Sequence, residues 1–563
     1  MPQDFTRFFQ PGVPADIAMP TGSLVDLCQQ SVEEAGPFIA TDFFGRTKTY
    51  AQLGDEISRA AEGLRQIGVR PGDRVAIILP NCPQHIIAFY AVLRLGAIVV
   101  EHNPLYTPRE LRHMFEDHAA RVAICWDVAV KNLLNQPDDI QLGAIIAVNL
   151  LDEFPASMRF ALALPLPSLR RKRAGLTAKT RGAISWKRLL DNDGLDQATP
   201  KPGVTDVAAI QYTSGTTGQP KGAMLTHSNL YCNALQGEAW MHGAQYHEEV
   251  FYAVLPMFHA FGMTLFLTYG VLKQAHIVLF PSFDPAMVVA KAKKLPPTVF
   301  CAVPPMFEKT AELAKKKKVS LQSAKYCISG AMTLPESTVE LWESQSGGLL
   351  VEGYGMTEAS PIISGNPFFT TRRTGTIGLP FPSTQVKVVE PGNPDRVVSP
   401  GQCGELLVQG PQVFKGYWNN PVETERSLLP GGWLRTGDLV TQDENGFITI
   451  VDRLKELVIV GGFNVSPSEV EMVLRSHQSI ADAAVVGLPA ASSGERLVAA
   501  VVPHDGATVD TQAVKTFCRG RLTPYKVPRE IYIVDALPKS MLGKVLRGDV
   551  RTMIEQLNQA CTE

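Results

Sequence analysis

Neither sign of charge dominates this chain. Lys and Arg number 53 against 55 Asp and Glu over 563 residues, a formal net charge of −2. Without a global basic field a general nucleic-acid binder is not expected. The nine cysteines are odd in number, scattered, and form no Cys-x-x-Cys pair. That argues against a disulfide framework and a structural zinc site, and fits a reducing compartment. The opening Met-Pro-Gln-Asp-Phe-Thr-Arg lacks the basic-then-apolar order of a secretory signal, so a cytoplasmic location is expected. With 45% hydrophobic and 19% charged residues, collagen-like, coiled-coil and wholly disordered chains are excluded. One run without Asp, Glu, Lys or Arg, Val250 to Leu272, is long enough to cross a bilayer. Pro256, His259, Gly262 and Gly270 interrupt it, and the strand-like Ala275 to Phe280 follows. A buried strand–loop–helix beside a ligand pocket is expected there.

The length exceeds what one hydrophobic core organises, so at least two domains are expected. Tyr50 to Ile67 has apolar residues at helical spacing with Gly68 as a stop, and Arg74 to Pro80 is a continuous apolar run of buried-strand type. A helix over Pro83 to Leu95 follows, then strands at 97–100, 121–125, 143–148 and 298–303. Such interleaving means an α/β architecture with largely parallel sheets. From about Gly375 to Asp452 the texture changes to short strands with turn signals, a β-rich subdomain. Residues 453–563 have their own strands, with helices at Pro467 to Ser476 and Asp510 to Arg519, and are expected to form a small α+β domain. The expected division is therefore 1–452, with α/β subdomains to about 374, and 453–563.

Two basic runs interrupt the neutral composition. Lys315 to Lys318 ends a helix, where cations suit its negative dipole end. Arg170-Arg-Lys-Arg173, with Lys179, Arg181, Lys187 and Arg188, follows the apolar Phe160 to Leu166. This 160–188 segment reads either as a solvated loop or as a contact for anionic lipid, which would put the protein peripherally on the inner membrane surface.

The strongest local signal is Tyr212-Thr-Ser-Gly-Thr-Thr-Gly-Gln-Pro-Lys-Gly222. A strand from Val207 runs into a loop dense in hydroxyls and glycines with one lysine. Glycines let the backbone approach a phosphate chain, successive amides form an anion nest, and Lys221 adds charge. It is not a Walker A loop, because the Gly-x-x-x-x-Gly-Lys-[Ser/Thr] order is missing and Pro220 precedes the lysine. The run resembles the signature of the acyl-adenylate-forming superfamily. Further segments resemble that superfamily in the same chain order: Glu352-Gly-Tyr-Gly-Met-Thr-Glu358, Trp433-Leu-Arg-Thr-Gly-Asp438, Asp452-Arg-Leu-Lys-Glu-Leu457 and Pro538-Lys-Ser-Met-Leu-Gly-Lys544. The likeness runs from about Thr49 to Arg547. Asn103 to Glu110, Gly461 to Pro467 and Leu522 to Pro528 make it most similar to the bacterial long-chain fatty-acid CoA ligases.

The resemblance implies a role for each position. Thr213, Ser214, Gly215, Thr216, Thr217, Gly218 and Lys221 would hold the ATP phosphates. Gly330 and Ala331 would wall the adenine, and Glu352, Gly353, Tyr354, Gly355 and Met356 would line it, with Tyr354 stacking on the base. Thr357 would bind a phosphate oxygen, and Glu358 with Thr217 would hold Mg²⁺, a hard cation that prefers oxygen ligands. Asp438 would accept the ribose hydroxyls, helped by Arg453. Lys544 would bridge the carboxylate and the α-phosphate. His259 would sit at the mouth of an acyl pocket with Phe258, Phe261, Gly262, Met263 and Val303, as a chemical group or only as a pocket wall. Lys455 would be the hinge of a mobile lid, and Gly461, Gly462, Phe463 and Asn464 the coenzyme A face. The implied partners are a fatty acid, ATP and coenzyme A. The sequence does not decide oligomeric state, and a homodimer is compatible with it. An adenylating enzyme that loads a carrier protein, or one acting on a medium-chain or aryl acid, is the nearest alternative reading.

Overall fold

The structure, a computed structural model, describes residues 5–135, 140, 142–213, 220–454, 456–460, 463–490, 494–541 and 543–560. The chain divides into two compact units, Met1–Gln385 with Val408–Leu434, and Val386–Leu407 with Arg435–Glu563.

Two large sheets organise the first unit. One has eight strands in the order Gly416–Tyr417, Lys221–Thr226, Val207–Thr213, Ile98–Glu101, Arg74–Ile78, Val122–Trp126, Ala144–Val148, Ile184–Ser185. From Val207–Thr213 to Ile184–Ser185 neighbouring strands pair in parallel. Val75, Ala76, Ile77 and Ile78 are all buried. Their lack of polar alternation is what a parallel strand covered on both faces requires. The other sheet has nine strands, with Val250–Ala253, His276–Leu279, Val299–Ala302 and Tyr326–Ser329 in its middle and Leu350–Gly355 leading toward one edge. Helix Tyr50–Gln66 starts on the Thr49 side chain, which accepts from the Gln52 amide, and buries Leu53, Ile57, Ala60, Ala61 and Leu64 at helical spacing. Each such side chain contributes about 1–3 kcal/mol of burial.

The uncharged run 250–272 is strand Val250–Ala253, a loop, and a buried helical stretch whose π-helical turn spans Met263–Tyr269. No helix among the described residues is long and apolar enough to cross a membrane. The basic run differs from the loop expectation. Ala156–Ala163 and Pro167–Ala174 are both helices, and neither buries a residue.

The second unit contains an antiparallel meander, in which Gln385–Glu390 pairs with Asn393–Val397 and Trp433–Gln442 with Ile448–Arg453. The sequence pattern assigns these strands to the N-terminal body, whereas they group with the C-terminal residues. There a sheet runs in the order Phe463–Val465, Val458–Val460, Gly494–Pro503, Ile480–Ala490, with Glu530–Ile533 added in parallel to Gly494–Pro503. Its strands alternate strictly. Val485, Leu497, Ala499 and Val501 face helices Pro467–Arg475 and Thr511–Arg519 through Val470, Leu474, Val514 and Cys518. Ala484, Val486, Val498 and Ala500 face helix Arg547–Ala560 through Val550 and Ile554. The period of two thus buries both faces of one small sheet.

Candidate active site

The hydroxyl- and glycine-rich run joins two paired strands. Val207–Thr213 pairs antiparallel with Lys221–Thr226, and Thr213 faces Lys221 across the register. Ser214, Gly215, Thr216, Thr217 and Gly218 lie outside the described residues. Lys221 is the first residue of the returning strand. Its ammonium pairs with Glu423 and lies 5.6 Å from the centroid of the Tyr417 ring. The hydrogen bond from Lys221, with a further one from Arg426, holds the Glu423 carboxyl below its usual range. In strand Val207–Thr213, the Tyr212 hydroxyl donates to Asp117 at 2.7 Å, and its ring stacks on the buried His102 at 6.0 Å.

Strand Leu350–Gly355 delivers the next group. It ends in a 3-10 turn, Thr357–Ala359, that buries Glu358. The Glu358 carboxylate accepts from the Tyr417 hydroxyl at 2.7 Å, and the Thr213 hydroxyl donates to it at 3.5 Å. Thr213, Lys221, Glu358, Tyr417 and Glu423 are therefore gathered from three separate stretches of chain. A single buried carboxylate with hydroxyl neighbours suits Mg²⁺, which takes one or two protein carboxylates and completes its shell with phosphate oxygens and water. No group of three His, Cys, Asp or Glu among the described residues forms a metal cage.

Tyr354 is half-buried near the end of this strand, between Gly353 and Gly355. Gly355 is demanded by close approach, because a Cβ there would stand 2.0 Å from the Pro361 carbonyl oxygen. The Met356 amide donates to that same oxygen at 3.0 Å. A Cβ at Gly330 would meet the Phe261 ring at 2.9 Å. Ala331 has φ +65°, a left-handed conformation in a residue with a Cβ. Glu352 is buried, accepts from the Gly375 amide at 2.9 Å, and is pushed up to about 7 by burial. It ties strand Leu350–Gly355 to the 375 turn.

His259 is exposed, and its Nδ1 accepts from the Phe261 amide at 3.4 Å, which caps the turn Ala260–Gly262. The protein around the ring pushes its pKa down to about 4. Phe258 and Phe261 are half-buried, whereas Gly262, Met263 and Val303 are buried. The Met263 Sδ accepts from the Gln211 side-chain amide at 3.2 Å. The 253–257 loop that leads into His259 hangs on Asn81. The Asn81 amide donates to the Ala253 carbonyl at 2.9 Å and the Leu255 carbonyl at 2.7 Å, and its oxygen accepts from the Met257 amide at 2.8 Å.

In the second unit Asp438 is buried, and its carboxylate pairs with Arg453 Nε at 3.0 Å across the Asp438–Arg453 register. Gly437, at φ +71°, turns the strand just ahead of it. Backbone hydrogen bonds hold Ser540 close to Gly543 and Lys544. The Ser540 amide donates to the Lys544 carbonyl at 2.7 Å, and the Gly543 amide donates to the Ser540 carbonyl at 2.8 Å. Gly543 takes φ +80°, which presents Lys544 half-buried. Surrounding protein pushes the Lys544 ammonium down to about 8, and Arg453 adds to this while Asp438 opposes it. Lys455, Gly461 and Gly462 lie outside the described residues, and Phe463 and Asn464, of which only the backbone is described, begin strand Phe463–Val465.

The model of the AMP-binding enzyme family matches residues 28–418, and that of the AMP-binding enzyme C-terminal domain matches 469–544. The chain belongs to the AMP-binding enzyme family. Among curated relatives it is similar to the long-chain-fatty-acid–CoA ligase of Bacillus subtilis, 35% identical over 97% of this chain and 96% of the relative. It is also similar to that of Escherichia coli O157:H7, 38% identical over 94% of each. Among solved structures it is similar to ATP-bound MatB from Rhodopseudomonas palustris, at TM-score 0.77 and 28% identity, covering 95% of this chain and 99% of that one. The o-succinylbenzoate CoA synthetase MenE from Bacillus subtilis, solved with its acyl-adenylate intermediate, aligns at TM-score 0.76 and 26% identity over 95% and 98% of the two chains. The expected α/β fold, with a large N-terminal part and a smaller C-terminal α+β domain, is the fold of this AMP-binding enzyme.

Three residues of this AMP-binding enzyme's site escaped the sequence reading. Tyr417 and Glu423 lie in Gly-Tyr-Trp-Asn-Asn-Pro-Val-Glu423, a stretch with turn signals but no chemical pattern. Asn81, in Leu-Pro-Asn-Cys82, lies 172 residues from Ala253. No local signal in the sequence announces either arrangement.

Proposed function

We propose that this AMP-binding enzyme activates a long-chain fatty acid in two steps, first to an acyl-adenylate and then to the coenzyme A thioester. What supports this best is the 35% and 38% identity, over nearly the whole chain, to relatives named as long-chain-fatty-acid–CoA ligases. In the first step a carboxylate oxygen attacks the α-phosphorus of ATP, a new O–P bond forms, and the bond to pyrophosphate breaks. In the second the coenzyme A thiol attacks the acyl carbonyl, a C–S bond forms, AMP leaves with the old C–O electrons, and the thiol proton passes to solvent.

The residues divide that work. Thr213 to Gly218 and Lys221 hold the phosphates, with Lys221 leaving Glu423 to do so. Gly330, Ala331 and the Glu352 to Met356 strand enclose the adenine, with Tyr354 against its face. Asp438, already oriented by Arg453, accepts the ribose hydroxyls. Glu358 and Thr217 hold Mg²⁺, and Thr357 a phosphate oxygen. When bound, Mg²⁺ neutralises charge on the phosphate chain. Lys544 places its cation between the carboxylate and the α-phosphate, which lowers the repulsion between two anions and fixes their approach. A hinge at Lys455 then withdraws Lys544 and presents Gly461 to Asn464 to coenzyme A, so that residues 453–563 serve two transition states in turn. Phe258, His259, Phe261, Gly262, Met263 and Val303 form the acyl side. A peripheral lipid surface is a further partner, through the basic 160–188 segment.

An aryl acid is a second reading, favoured by similarity to the feruloyl-CoA synthase of Amycolatopsis sp, 33% identical over 90% of this chain. The test separates the half-reactions. Lys544→Ala abolishes ATP–pyrophosphate exchange yet still converts supplied acyl-adenylate and coenzyme A to thioester. Equal loss of both half-reactions in a folded variant overturns the role given to Lys544.

A further inference from the structure

Residues 154–190 contain nine Lys and Arg and no Asp or Glu, in a chain whose net charge is −2. Folding concentrates part of that charge on one projection. Helices Ala156–Ala163 and Pro167–Ala174 pack against each other and bury nothing else. The turn between them is apolar, Leu164-Pro-Leu166. Phe160, Leu164 and Leu166 are 72%, 39% and 52% exposed. Arg159 flanks this apolar tip on one arm, and Arg170, Arg171, Lys172 and Arg173 on the other. None of these five cations makes an ion pair with a described residue.

The projection is built into the fold at both roots. Before it, Phe154 is buried against Phe43 and Phe44, with ring centroids 5.5 Å and 4.4 Å away. After it, the Trp126 indole donates to the Leu176 carbonyl at 2.9 Å, and the Thr177 hydroxyl donates to Asp127. The body thus holds out an apolar tip collared by cations. An apolar tip alone asks only for an apolar partner, and cations alone ask only for an anionic one. Together they match the boundary of a bilayer, with acyl chains for Phe160, Leu164 and Leu166 and anionic headgroups for the collar. A nucleic acid would engage the cations and leave the tip in water.

We infer that hairpin 156–174 is the element that docks this protein on an anionic lipid surface, with Phe160, Leu164 and Leu166 entering the headgroup–acyl boundary and Arg159 and Arg170–Arg173 on the headgroups. The inference rests on the lipid-contact reading of 160–188 above and not on the ligase chemistry.

Vesicle co-sedimentation of the full chain tests it, using phosphatidylcholine vesicles with and without 30% phosphatidylglycerol at about 0.1 M salt, and no ATP, coenzyme A or fatty acid. Binding is expected only to the anionic vesicles. Each cation removed weakens it about fivefold. The quadruple variant R170Q/R171Q/K172Q/R173Q therefore weakens it at least about a hundredfold, and F160S/L164S/L166S about tenfold or more. Both variants retain turnover of a water-soluble medium-chain acid, because no hairpin residue belongs to the catalytic machinery. Equal binding to both vesicle types, or binding unchanged in either variant, overturns the inference. So does tight binding to a DNA duplex that the serine variant leaves intact, since that marks a simple polyanion surface. A failed ligase assay with intact vesicle binding strikes the catalytic reading alone.

Discussion

Lys544 gives the sharpest quantitative expectation. Its ammonium is pushed down to about 8 by surrounding protein and by Arg453, whereas a free lysine titrates near about 10.4. Only the protonated form can bridge two anions. With a pKa of about 8 the protonated fraction is about 0.9 at pH 7, about 0.5 at pH 8 and about 0.1 at pH 9. The kcat/KM of ATP–pyrophosphate exchange, which reads the free enzyme, should therefore fall about tenfold from pH 7 to pH 9. Bound ATP brings negative charge beside the ammonium and raises its pKa, so the limb in kcat lies at higher pH. Lys544→Arg keeps its charge across this range and removes the limb, at some loss of rate from altered geometry. The sign for stability is the reverse of an ion pair's. The folded pKa lies below the unfolded one, so the unfolded chain binds more protons between about pH 8 and 10.4, and stability rises with pH through that window. Lys544→Met should thus be at least as stable as the parent at pH 7, which separates its loss of exchange from unfolding. A flat kcat/KM up to pH 10, or an unchanged limb in the arginine variant, refutes the reasoning.

Other expectations follow from single positions. Asn81→Ala removes three hydrogen bonds and leaves the Leu255 carbonyl and the Met257 amide unpaired, while the Ala253 carbonyl keeps the Phe280 amide. At about 1 kcal/mol per hydrogen bond it costs about 3 kcal/mol in urea unfolding; it also raises KM for the acid more than for ATP, and equal changes in both would deny Asn81 a role in placing the 253–259 loop. Ala331→Gly relieves a φ of +65° and raises stability by up to about 1 kcal/mol, with a measured loss counting against backbone strain there. Lys455→Pro keeps pyrophosphate exchange but impairs thioester formation, and unchanged overall turnover places the hinge elsewhere.

The parts that were legible in the sequence are those whose signal is local. Arg74 to Ile78 reads as a buried strand because both of its faces are covered, and Tyr50 to Gln66 reads as a helix because one face is apolar at the helical period. Thr213, Glu358, Asp438 and Lys544 stand out in the sequence because each lies in a short distinctive run. What was missed depends on contacts between distant segments. Glu423 meets Lys221 across 202 residues, and Tyr417 meets Glu358 across 59. Met263 and Val303 show a different limit. A buried apolar side chain looks the same in a sequence whether it packs a core or lines a pocket, and both are buried. The 156–174 hairpin read as loop for a third reason. It buries no face, so it carries none of the periodicity that burial imposes.

The central claim is that the acid is long-chain and the final acceptor is coenzyme A. The most direct measurement is thioester formation across fatty acids of graded length with ATP and coenzyme A, with AMP release followed in parallel. Acyl-CoA and AMP in equal amounts, at rates that rise to a maximum among long chains, are expected. Negligible thioester at every length, or AMP release that does not depend on coenzyme A, would contradict the account.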